Sequence, residues 1–194
     1  MARTQQQRRE DTIARLLDAS IETIVEMGYA RASSAVIAKR AGLSVGALFR
    51  HYPTMGDFMA ATGHEVLRRQ LERFSKQVAQ IPPGEPALPA VLSVLRDITA
   101  SDTNAVLYEL MVAARTDAKL RAALHDVLIE YSAKIFETAG AVTPTDRLSE
   151  ETRAVVTAIL TNTFDGAAIL RPVLPDADFE ARKLAVLADM LGRY

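Results

Sequence analysis

The chain has 194 residues, 49% of them apolar, with 23 Lys/Arg against 24 Asp/Glu for a formal charge of −1. That length fits one or two domains, and the apolar content is enough to bury a core, which excludes an intrinsically disordered chain. There is no cysteine, which excludes a disulfide framework, cysteine-based zinc sites and a thiol nucleophile. With only His51, His64 and His125 beside the carboxylates, neither a metal nor a cofactor is expected. The longest uncharged run, Ala154–Phe164, has 11 residues, short of the ~18–20 that span a bilayer. The opening MARTQQQRRE lacks the apolar core of a secretory signal. The expectation is a soluble cytoplasmic protein with no membrane partner.

Helical periodicity runs along nearly the whole chain. Ile13, Leu16, Leu17, Ile24 and Met27 form one stripe and predict a helix over Asp11–Met27. Short helices follow from Ser34 to about Ala41 and from Ser44 to about Tyr52, where Pro53 forces a break. Thr54 is placed to cap a longer helix reaching about Gln80, with Leu67, Leu71, Phe74 and Val78 in register. The proline-rich Ile81–Pro86 reads as a linker. Further helices are expected near 88–100 and 103–115, then one through Leu120, Leu124, Leu128, Tyr131 and Ile135 to about Gly140. A loop over 141–148 precedes a helix capped by Ser149 and ended by Pro172 and Pro175, and Asp176 or Asp178 starts the last. The fold class is therefore all-α, about nine helices, with no strand alternation. Doubly wound nucleotide-binding and hydrolase folds, which need a parallel sheet, are excluded.

Charge divides the chain near Met55. Residues 1–55 carry a net +3, and the bases flank a central acidic stretch; the remainder carries −4. A basic arm beside a basic compact segment is the footprint of a nucleic-acid binder. Within Gly28–Met55 the chemistry is specific. Ser33 or Ser34 caps one short helix, Ala38 is small enough for a close helix crossing, Gly42 supplies a turn at positive φ, and Ser44 caps the next helix. Ile37, Ala41, Leu43 and Leu48 are spaced to fill the angle between the two. This is a helix-turn-helix with Ser44–Tyr52 as recognition helix. Gly42-Leu43-Ser44-Val45-Gly46 also matches the hydrolase pattern G-x-S-x-G, but that chemistry needs a strand before the serine and an oxyanion segment, and neither is present.

Residues 10–60 resemble the DNA-binding domain of the TetR family of transcriptional regulators. The resemblance rests on the apolar helix ending in Gly28-Tyr29, Ser33-Ser34, Ile37-Ala38, Ala41-Gly42-Leu43-Ser44 and Leu48-Phe49-x-His51-Tyr52-Pro53. It implies a helix-turn-helix domain over 1–54 with a basic N-terminal arm, and an effector-binding and dimerisation domain over 55–194. It also implies a homodimer on a palindromic double-stranded operator, released by a small molecule, with repression the family-level expectation. Two positions depart from the family pattern: Phe49 stands where tyrosine is usual, and Met55 where lysine is usual. Both usual residues hold phosphates, so their loss predicts a shallower salt dependence.

In the recognition helix Val45, Gly46 and Ala47 cannot hydrogen-bond a base through their side chains. Val45 and Ala47 suit thymine methyls, and Gly46 permits close backbone approach. Polar readout falls to Arg50 and Ser44, with Lys39 added from the preceding helix; Arg50 suits either a bidentate guanine contact or a phosphate. Ser33, Ser34, His51 and Thr54 are the remaining phosphate candidates, and Arg3, Arg8 and Arg9 of the arm suit the minor groove or a merely solubilising tail. A degenerate helix-turn-helix serving as a protein–protein interaction module is the alternative.

Residues 88–170 are expected to enclose the effector pocket. Phe74, Leu95, Met111, Leu128 and Phe136 are apolar candidates for its lining; Tyr108, Glu109, Arg115, Tyr131, Asn162, Thr163 and Asp165 are polar ones. Glu109 and Arg115 also suit a surface pair, and Asn162 and Thr163 a dimer-face or inter-helix hydrogen bond. Val155, Ile159, Phe179, Leu184, Leu187 and Leu191 are candidates for the dimer interface.

Overall fold

Thr4 starts the first helix well before the apolar stripe does. Its hydroxyl accepts from the Gln7 N–H at 3.2 Å, and its own N–H donates to Gln7 Oε1 at 2.9 Å. This reciprocal capping box satisfies two donors that a helix start leaves open. α1 therefore spans Gln5–Met27, and Arg8 and Arg9 ride on its exposed first turns. The expected loose arm is helix from Gln5 onward. The computed structural model describes residues 4–82, 86–142 and 149–193. Arg3 lies outside them, as do 83–85 of the expected linker, the loop 143–148 and the side chain of Phe136.

A 3₁₀ turn, Tyr29–Arg31, leads to α2 (Ser34–Arg40), α3 (Val45–His51) and α4 (Met55–Val78). Then come α5 (Ala87–Thr99), α6 (Asp102–Ala114), α7 (Ala118–Val142), α8 (Glu150–Leu170) and α9 (Ala177–Gly192). The described residues thus form nine α-helices and no strand, as the periodicity predicts.

The helices group into two compact units. The first combines the described residues up to Arg68 with Asp102–Leu128; the second combines Arg69–Ser101 with the described residues from Ile129 onward. Packing therefore divides the chain differently from residue order at 54/55. The first unit's core takes Leu16 and Ile24 from α1, Ile37 from α2, Leu48 from α3, and Phe58 and Val66 from α4, all at most 1% exposed. Each such side chain contributes about 1.5–3 kcal/mol. α6 and the start of α7 join this core because Gly63 of α4 leaves room for them. A Cβ there would meet Leu124 Cδ2 at 3.1 Å and Leu110 Cδ1 at 3.5 Å. The second unit packs α8 and α9 on α5, burying Leu92, Ile98, Phe164 and Ala167.

Candidate nucleic-acid interface

The turn between α2 and α3 is set by backbone hydrogen bonds. Gly42 N–H donates to Lys39 O at 3.0 Å, and Leu43 N–H to Ala38 O at 2.9 Å. That pair is a Schellman closure, which needs a left-handed residue after the helix. Gly42 supplies it at φ +64°. Ser33 caps α2, accepting from Val36 N–H at 3.4 Å, and Ser44 caps α3, accepting from Ala47 N–H at 3.1 Å. Leu48 is fully buried beneath. Arg15 holds the turn from the side of α1: its guanidinium donates to Ala41 O at 2.5 Å and Gly42 O at 3.4 Å. We expect Gly42→Ala to destabilise the chain by about 1–2 kcal/mol, the cost of a side chain in the left-handed region, read as a lower urea midpoint at unchanged slope.

The basic residues separate into two groups. Arg15 is engaged with the turn, Arg31 donates to Met27 O at 2.7 Å, and Arg40 pairs with Glu26 and, at 3.6 Å, with Glu22. The Arg40 pairing lowers the Glu26 carboxyl below its ordinary range. Lys39 and Arg50 are exposed, with no side-chain partner among the described residues. Arg8 and Arg9 are exposed as well. Burial raises the Tyr52 phenol above its ordinary value and the Glu65 carboxylate adds to the rise, with the Arg9 charge opposing it. Around these cations Ser33, Ser44, Val45, Gly46, Phe49 and Thr54 are exposed, while Ser34, Ala47 and His51 are half-buried. Phe49, at 42% exposure, is an apolar surface side chain of the recognition helix. Thr54 differs from the expected free phosphate donor: its hydroxyl donates to Asp57 Oδ2 at 2.8 Å, closing a capping box at the start of α4.

The G-x-S-x-G serine is also placed. Ser44 joins two helices rather than a strand and a helix, and its oxygen is used in the α3 cap. No nucleophile elbow exists here.

The family model described as bacterial regulatory proteins, tetR family, matches residues 16–62. An uncharacterized HTH-type transcriptional regulator of Mycobacterium tuberculosis (strain ATCC 25618 / H37Rv) is 65% identical over 191 residues, 98% of each chain. The chain belongs to the TetR family. The HTH-type transcriptional regulator CymR of Pseudomonas putida is 29% identical over 119 residues, 61% of this chain and 59% of CymR. The crystal structure of a TetR-family transcriptional regulator from Streptomyces coelicolor shares the fold at a TM-score of 0.65 and 19% identity, over 94% of this chain and 98% of that one. The protein is a TetR-family transcriptional regulator and not an enzyme.

In this TetR-family chain the expected effector residues fall in both units. Phe74, Leu95, Tyr131, Asn162 and Thr163 belong to the second; Tyr108, Met111, Arg115 and Leu128 belong to the first. Tyr131 donates to Gln70 Oε1 at 2.5 Å. Burial pushes its phenol well above the ordinary value, and the Asp165 carboxylate adds to the rise, so it stays a hydrogen-bond donor. Gln77 Oε1, on the same helix as Gln70, is buried without a hydrogen bond. Tyr108 accepts from Asn104 Nδ2 at 2.6 Å, while Arg115 and Asn162 are exposed. Thr163 donates to Ile159 O at 2.7 Å, within its own helix. Glu109 is not a partner of Arg115. Its carboxylate accepts from the Tyr29 backbone N–H, tying α6 to the 3₁₀ turn that precedes α2. Of the dimer candidates, Val155, Ile159 and Phe179 are more than half exposed. Leu184, Leu187 and Leu191 are part-covered, and the more exposed apolar residues of α9 are Val186 and Met190. No helix is long and apolar enough to cross a membrane among the described residues.

Proposed function

We propose that the chain is a repressor that binds a palindromic operator as a homodimer and leaves it when a small molecule binds in residues 55–194. The observation that carries the DNA side is the exposed recognition helix α3, held by the Schellman turn and Arg15, with Arg50 and Lys39 unpaired among the described residues. Each protomer places one such helix in the major groove, at half-sites about one helical turn or a multiple of it apart. Arg50 reads a guanine, with Ser44 and Lys39 as further polar readers, Val45 and Ala47 lie against thymine methyls, and Ser33, Ser34 and His51 hold the backbone. Arg8 and Arg9 reach the duplex from the first turns of α1.

The effector site is centred on Tyr131, which donates to Gln70 Oε1, and takes Phe74, Leu95 and Thr163 from the same unit. α4 begins in the first unit and ends in the second, so it is the lever by which effector affinity biases operator spacing. Selection from a random duplex pool tests the reading. A palindrome with helical-turn spacing supports it; enrichment of nothing contradicts it and leaves the protein-interaction reading. Met55→Lys restores a cation at the start of α4. It is expected to steepen the log–log salt dependence of operator binding by about one unit per protomer.

A further inference from the structure

α3 carries an apolar flank that its own chain leaves open. Leu48 is fully buried, so Gly46 and Arg50, two positions before it and two after, lie on the outer face of the helix, nearly opposite. Both are exposed. Val45 and Phe49, four apart, share one flank of that outer face and are 37% and 42% exposed. Neither side chain has a polar atom, so each leaves apolar area in water that a dry contact would remove. Gly46 is a separate observation. Its φ lies outside the left-handed region, and a Cβ there would meet only Ser44 Oγ, at 3.8 Å, an ordinary contact. Alanine would fit the chain and favour the helix. With glycine in that place, a surface laid on α3 comes closer to the backbone by the depth of a methyl group. The flank of Val45 and Phe49 then touches it.

From this juxtaposition we infer that Phe49, packed beside Val45 and brought close by Gly46, is a specificity-determining residue that reads the 5-methyl group of a pyrimidine in the major groove. The inference rests on the operator reading above and deepens it. The base edges of the major groove present an apolar group only where a pyrimidine carries a methyl at C5. Thymine does so, and 5-methylcytosine offers the same group at the same place. Cytosine and uracil have hydrogen there. A phosphate is a poor partner for Phe49, which has neither charge nor hydrogen-bond donor to give it. Arg50 and Phe49 thus divide the readout: the guanidinium takes hydrogen-bond acceptors, and the ring takes the methyl. A contact of this kind cannot tell thymine from 5-methylcytosine, so methylation of a cytosine at that position creates the contact instead of blocking it.

The test uses the full-length protein and an operator selected from a random duplex pool, remade with deoxyuridine in place of one thymine at a time. That change removes the methyl and leaves the base pair intact. By fluorescence anisotropy, one such replacement in each half-site is expected to weaken binding about fourfold per half-site. At the same position, 5-methylcytosine is expected to bind better than cytosine by the same factor. Phe49→Ala is expected to keep the helical spectrum and bind the thymine and deoxyuridine operators alike. Gly46→Ala is expected to keep or raise the thermal midpoint and weaken operator binding about tenfold. The inference is overturned if no thymine of the operator is sensitive to deoxyuridine, if Phe49→Ala keeps the full preference for the methyl, or if Gly46→Ala binds as tightly as the parent. Each of these leaves the operator reading intact. A parent protein that selects no operator removes both.

Discussion

Arg50→Ala is expected to lower affinity for the selected operator by about 1–3 kcal/mol per protomer, roughly a factor of 5 to 150 for each half-site. The thermal midpoint of the free protein should not move, because Arg50 is exposed and gives its guanidinium to no described residue. The direction of specificity separates its two possible targets. If Arg50 grips a guanine, the loss concentrates on operators carrying that base, and Arg50→Lys does not restore it, since an ammonium cannot make the bidentate fork. If it grips a phosphate, affinity falls alike on all sequences, the salt slope drops by about one, and lysine rescues. Fluorescence anisotropy against the selected site and a guanine-substituted site reads both. The first outcome is expected, because Val45, Gly46 and Ala47 leave Arg50 as the strongest polar reader on α3.

Phe58→Ala is expected to cost about 3–5 kcal/mol in urea denaturation, the usual cost of emptying a fully buried aromatic site. Phe58 is 0% exposed in the first turn of α4, and its ring lies 5.0 Å from the ring of Tyr52 at the end of α3. Its loss therefore loosens the base on which the recognition helix ends, and operator binding should fall with stability. Phe49→Ala is the contrast. Phe49 is an aromatic only nine positions earlier but 42% exposed, so its removal should stay within about 0.5 kcal/mol of the parent. A large effect at 49 and a small one at 58 would contradict the burial of Phe58 and the exposure of Phe49.

The helix-turn-helix was legible because its determinants are local. A serine cap, a left-handed glycine and a buried leucine act within a few residues of the turn they make, so Gly42, Ser44 and Leu48 could be placed from spacing alone, and the first cap assigned to Ser33 or Ser34. What holds that turn, and the 3₁₀ turn before α2, in the molecule was not legible. Arg15 reaches Ala41 across 26 residues, and Glu109 reaches Tyr29 across 80. Spacing along one helix carries no information about such pairings. Arg15 and Arg40 counted as free basic charge in the sequence, yet one staples the turn and the other is paired with acids on α1. The start of α1 was missed for another reason: a polar run of glutamines and arginines reads as a tail unless the Thr4–Gln7 capping box is noticed. On α9 the leucine line was visible, but a line of leucines does not say which edge meets α5 and which is left open. The effector residues are drawn from two packing units that residue order mixes, and no pattern in the chain sorts them.

The most direct test of the account is an anisotropy titration of the full-length protein on its selected palindrome and on a scrambled duplex of the same composition, across a salt series. The account predicts binding with two protomers per palindrome, at least a thousandfold tighter than to the scrambled duplex. Equal, steeply salt-dependent binding to both duplexes would contradict it.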